Sequence, residues 1–158
     1  MAEKKRLETL RRAHLEGYIG LVGLTLAFVG KYGDEAWDVF RDFMKTAGQM
    51  QGEAFKEKAG IKVKGPEDVK RLLEIAGKEF YPYVSWSLRV EGNKVIAVTD
   101  STTCPMPEVA KALGLPLRTL CENFMPYSDA MLRTVAPNMK HTNKEISETR
   151  CVDEFEIV

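Results

Sequence analysis

At 158 residues and 44% apolar composition, the chain fits a single globular domain, 1–158, since domains commonly run to roughly 100–200 residues. Lysine plus arginine equals aspartate plus glutamate at 23 each, which gives no basic footprint and sets aside nucleic acid and anionic membrane as expected partners. Three cysteines, Cys104, Cys121 and Cys151, and a charged start without a signal-peptide apolar region imply free thiols in a reducing cytoplasm.

Residues 3–31 read as a helix with Leu7, Leu10, His14, Tyr18, Leu21 and Phe28 near one face. Its uncharged run, Gly17 to Gly30, is shorter than the roughly 20 residues that span a bilayer. His14 is either a core-edge histidine bonded to a backbone carbonyl or a substrate-binding side chain in a cavity. After Gly33, Asp34 is a suitable N-cap for a second helix over 35–58. Ala36, Phe40, Phe43, Met44, Ala47, Met50 and Ala54 form its expected apolar stripe, and Gly60 its stop. Trp37, Phe40 and Met44 read as core.

Gly65-Pro66-Glu67-Asp68 starts a third helix, with proline at the first helical position and acids in the first turn. Val69, Leu72, Leu73, Ala76 and Phe80 are its buried face, and Pro82 closes it. The period then changes to 2. Val84, Trp86, Leu88 and Val90 alternate with polar residues up to Gly92-Asn93, a two-residue turn of the kind a type II′ hairpin takes. The return strand from Lys94 to Asp100 places Trp86 opposite Thr99 and Leu88 opposite Ala97. The opposite face, with Ser85, Ser87 and Arg89, is half polar and either exposed or cavity-lining.

A short helix is expected over 107–113, ended by Gly114. Pro116 opens another, with Leu117, Leu120, Cys121 and Phe124 buried, a kink or break at Pro126 and an end at Val135. Residues 139–158 lack a helical period and read as one or two strands. The fold class is therefore α+β: a helical N-terminal half packed on a small antiparallel sheet, built from the central hairpin and C-terminal strands.

Cys104 lies between a strand end and a helix start, in Thr103-Cys104-Pro105. Backbone N–H groups and the helix dipole can lower a thiol pKa there, which suits a catalytic nucleophile or a thiolate ligand. Cys121 is either a small buried hydrophobe or a partner of Cys104 in a substrate pocket. Cys104, Cys121 and Cys151 could hold zinc, although no C-x-x-C pair is present. His141 is the weaker metal ligand: if 141–151 were one strand, His141 and Cys151 would lie roughly 33 Å apart, so a turn near Asn143-Lys144 would be needed. Asp129 is either a first-turn acid or a pocket carboxylate serving as general base. Glu145 and Glu148 read as solvated.

The order of these features resembles the L-2-amino-thiazoline-4-carboxylic acid hydrolase-like family and, more distantly, the 4-vinyl-reductase domain, a small-molecule-binding module. The residues that carry it are Cys104-Pro105, Cys121, Tyr127-Ser128-Asp129-Ala130, Ala136-Pro137-Asn138, Glu148-Thr149-Arg150-Cys151 and Phe155. The family's glycine-acid turn before the last cysteine is missing here. The resemblance implies hydrolysis of the C–N bond of a small cyclic amidine carboxylate. Cys104 would be nucleophile or ligand, Asp129 would orient substrate or water, and Arg89 or Arg118 would hold the carboxylate. The alternative it implies is a non-catalytic module that binds or senses a small molecule or metal. A homodimer through the long helices is a further expectation.

Overall fold

The structure, a computed structural model, describes residues 2–158. It is α+β, with helices α1 (Ala2–Tyr32), α2 (Glu35–Ala59), α3 (Pro66–Phe80), α4 (Met106–Leu113) and α5 (Leu117–Val135). The strands are β1 (Trp86–Glu91), β2 (Lys94–Asp100), β3 (Met139–Ile146) and β4 (Arg150–Ile157), forming an antiparallel sheet in the order β1-β2-β4-β3. The helix boundaries fall within a residue or so of those expected. Gly60 and Gly114 close α2 and α4 in the left-handed conformation, as helix-ending glycines do. Asp34 occupies the N-cap position of α2 but makes no capping hydrogen bond. Helix α5 runs unbroken through Pro126, although proline cannot donate to the ladder.

Two apolar clusters make the core. One joins Phe55 of α2, Val69, Leu72 and Leu73 of α3, and Met131, Leu132 and Val135 of α5 to Val95, Met139 and Phe155 of the sheet. The other joins Val22 of α1, Trp37, Phe40 and Met44 of α2, Val109 of α4 and Leu120 of α5. The α2 stripe is rotated from the expected one. Phe43 and Met50 face solvent, and the buried line is Trp37, Phe40, Met44, Gly48, Gly52 and Phe55. The two glycines cause this rotation. A Cβ at Gly48 would lie 2.2 Å from the Tyr127 carbonyl oxygen, and one at Gly52 would lie 2.7 Å from the Met131 carbonyl oxygen. Helices α2 and α5 therefore meet backbone to backbone along a small-residue seam, with the larger side chains displaced outward. On α1 the buried residues are Val22 and Thr25, and Phe28 is turned out to solvent.

The β1–β2 register is the expected one, with Trp86 opposite Thr99 and Leu88 opposite Ala97. The Trp86 face meets the helices: a Cβ on Gly77 of α3 would collide with the indole ring. The other face leaves Ser85, Ser87, Arg89 and Asp100 exposed. The chain reverses after β3 at Ser147–Thr149, not at Asn143-Lys144. Ser147 closes that turn, donating its N–H and its hydroxyl to the Arg150 carbonyl at 2.9 and 2.8 Å. The Asn143-Lys144 position carries instead a β-bulge between Asn143 and Glu145, which restores the inward aim of Ile146 against Cys151.

Candidate functional site

In an antiparallel pair, residues directly opposite each other project to the same face. Across β3 and β4 the pairs are His141 with Phe155, Asn143 with Asp153 and Ile146 with Cys151; across β2 and β4 they are Ala97 with Asp153 and Thr99 with Cys151. The register thus delivers His141, Asn143, Cys151 and Asp153 to the sheet face that carries Trp86. The loop Ser101–Pro105, the first turn of α4 and the N-terminal three turns of α5 close over that face. A cavity of about 240 Å³ remains, lined by Trp86, Phe124 and Met106 on its apolar side and by Cys104, Cys121, Cys151 and Asp153 on its polar side.

Cys104 is held by its loop. Its N–H donates to the Ser101 carbonyl at 3.2 Å, the Thr103 N–H donates to the Asp100 carbonyl at 3.1 Å, and the Thr103 hydroxyl accepts the Ser85 N–H at 2.8 Å. Helix α4 begins two residues later, so the Met106 N–H reaches the sulfur and favours the thiolate, but burial is the larger effect and raises the thiol above its ordinary pKa. The expected lowering is therefore reversed in sign. Burial also pushes Cys121 and Cys151 up, each to about 12. All three cysteines are free.

The sequence-level expectation of a three-cysteine zinc site is not met by the arrangement. The thiols come from a loop, a helix and a strand and stand around the cavity wall. Among the described residues no group of three or more His, Cys, Asp or Glu side chains is placed to hold a metal ion. The expected arginines also lie elsewhere: Arg89 is exposed on β1 and paired with Glu91 at 2.5 Å, and Arg118 is exposed on α5 and paired with Glu122 at 3.3 Å. His14 sits among Tyr18, Tyr81 and Tyr83, with Nδ1 2.6 Å from the Tyr83 hydroxyl, so its partner is a phenol and not a backbone carbonyl. It does not line the cavity, and burial lowers its pKa.

Asp129 points at a histidine and not at Cys104. His141 Nδ1 lies 2.5 Å from Asp129 Oδ1, and Nε2 lies 2.9 Å from Asp153 Oδ1. The ring stacks on Phe155 with centroids 4.4 Å apart and is only 7% exposed. Burial works against its charge, but the hydrogen bonds to Asp129 and Asp153 outweigh it and hold the pKa at about 9. His141 is therefore an imidazolium at neutral pH, with both N–H groups donating to carboxylates. Asp129 borders a shallow groove on the outer side with Lys45, Gln49 and Arg133, whereas Asp153 lines the cavity.

Asp153 Oδ1 also accepts the Asn143 amide at 2.7 Å; among the described residues Oδ2 meets only the Cys151 thiol, at 3.5 Å. Asn143 Oδ1 is buried with no hydrogen-bond partner among the described residues, an arrangement that ordinarily costs about 1–3 kcal/mol. His141 as a clamp, Asp153 and Asn143 were not singled out from the sequence. The available signal was parity: folded about a turn at 147–149, the alternation of β3 and β4 puts all three on one face with Cys151.

No protein-family model matches this chain, and no curated protein matches it significantly.

One consequence is directly measurable. With burial raising all three thiols, alkylation by iodoacetamide at pH 8 is expected to be at least about tenfold slower than for an unstructured cysteine peptide, and equal rates after denaturation complete the check.

Proposed function

We propose that this chain is a small-molecule-binding module of the 4-vinyl-reductase type, whose cavity takes a small, mostly apolar ligand with a cationic, N–H-rich end such as a cyclic amidine. The observation that carries this reading is Asp153, a carboxylate lining a mostly apolar cavity, whose Oδ2 meets the Cys151 thiol alone among the described residues. A carboxylate at the cavity wall matches the N–H groups of an amidinium. His141 balances only one of the two carboxylates that flank it, so a ligand cation would complete the charge pairing. The thiols add soft, polarisable wall, and their protonated state fits binding better than nucleophilic attack.

The hydrolytic reading is the second one, favoured by a carboxylate facing the place where an amidine would sit. In it Asp153 takes a proton from water, the water oxygen bonds to the amidine carbon, and the ring C–N bond breaks as the nitrogen is protonated. Asp129 would act only through His141, as a positioning residue. Calorimetric titration with 2-amino-thiazoline and its 4-carboxylate, followed by mass analysis of the mixture, tests both. Binding without turnover, weakened about tenfold or more in Asp153→Asn, is expected. Ring-opened product would select the hydrolase, and absence of binding by either compound would overturn the amidine assignment.

A further inference from the structure

The outer face of α1 and α2 is an apolar surface that no other described residue covers. Leu24, Phe28 and Tyr32 of α1 and Val39 and Phe43 of α2 are each about half exposed or more, and they border a groove of about 530 Å³ between the two helices. Together they expose on the order of 600 Å² per copy. That is the upper end of what monomers leave open, and approaches the roughly 800 Å² per partner of a stable interface. Helix α1 is long and apolar enough to cross a membrane by length and composition, with one 18-residue window of mean hydropathy 1.3. It is also anchored to this domain: Arg11 reaches the Thr103 carbonyl and Glu108, and His14 meets Tyr83. Moving α1 into a bilayer would break those contacts.

The charges at the two ends of the apolar stretch suit a second copy of the same helix in one orientation. The uncharged run Gly17–Gly30 is bounded by an acid, Glu16, and a base, Lys31. Both are exposed. Glu16 pairs with Arg12 on its own helix at 2.8 Å, a solvent-facing i,i+4 pair of the weak kind that is open to exchange. Lys31 makes no ion pair among the described residues, lying instead over the Tyr32 ring. We propose that the chain is a homodimer in which α1 packs antiparallel against α1 of a second copy, about a two-fold axis beside Leu24. That axis brings each Lys31 to within a turn of the partner's Glu16 at both ends of the interface. It also lays Phe28 over the partner's Gly20, where there is open space beside the glycine. A parallel pairing would set like charges together at both ends. A two-fold interface is self-complementary in this way.

Sedimentation velocity across a concentration series tests the proposal, with circular dichroism confirming the fold of each variant. The wild type is expected to be a dimer. Leu24→Arg, at an exposed position, is expected to weaken it roughly 30-fold or more with the melting curve of the monomer fold retained. Glu16→Lys and Lys31→Glu should each weaken the dimer, and the double exchange should restore it. A monomer at all concentrations, a dimer indifferent to Leu24→Arg, or a double exchange no better than the singles would each overturn the arrangement. So would co-sedimentation of the wild type with phosphatidylcholine vesicles, which would assign the face to a bilayer.

Discussion

Gly48→Ala is expected to destabilise the protein by about 3 kcal/mol or more, lowering the melting temperature by roughly 10 °C in a domain of this size. The added methyl would sit 2.2 Å from the Tyr127 carbonyl oxygen and 2.9 Å from its carbonyl carbon. Neither atom is the end of a flexible side chain, so relief requires α2 and α5 to separate along much of their length. Separation opens the seam that Gly52 shares with Met131 and Thr134, and both apolar clusters draw on these two helices. Gly30→Ala is the contrast. It adds the same methyl to an exposed helical position with open space around it, and is expected to stabilise by about 0.5–1 kcal/mol. Thermal melts of the two variants beside the wild type separate the close-approach requirement from the helix propensity of glycine.

The second large effect is at His141. Its pKa in the folded protein is about 9, against roughly 6.5 in the unfolded chain. The raised value means that the stabilisation is fully present below pH 6.5 and is lost as pH rises through 9. The loss is on the order of 3 kcal/mol. His141→Ala removes the cation between Asp129 and Asp153 as well as the stack on Phe155. A cost of about 3–5 kcal/mol is expected at pH 6, shrinking towards pH 10, where the wild type has itself lost the charge. Asp129→Asn leaves Asp153 as the remaining anionic partner and should give an intermediate loss with a lower apparent pKa. Urea denaturation at pH 6, 8 and 10 reads all of this. A wild-type stability flat across that range would contradict the imidazolium assignment.

Much of the architecture is visible in the chain because local signals agree with tertiary packing. Gly65-Pro66, Gly92-Asn93 and the alternation of Trp86, Leu88 and Val90 each mark one element and one orientation, and the structure keeps all three. Phe40 and Met44 of the expected α2 stripe are buried, but Phe43 and Met50 are not, because glycine carries no hydropathic signal in a helix. Gly48 and Gly52 mark the contact through what they lack, and only the position of α5 reveals it. The cavity was legible in part. The cysteines at positions 104 and 121 do share a wall, but their spacing says nothing of burial, which decides the thiol pKa. Charge alone suggests Arg89 and Arg118 as carboxylate holders, but each already has a carboxylate within reach on its own strand or helix. Asp153 and His141 become partners only through a long-range strand register, which the turn at Ser147 sets and the bulge at Asn143 adjusts.

Cys104, Cys121, Cys151 and Asp153 border one cavity, and the proposal is that this cavity takes a ligand. It is tested most directly by alkylating the native protein with increasing 2-amino-thiazoline and following each cysteine by peptide mass mapping. All three thiols are expected to be protected in parallel, with one half-saturating concentration, and Asp153→Asn is expected to shift the three curves together. Protection of one thiol alone, or rates unchanged at saturating amidine, would contradict it.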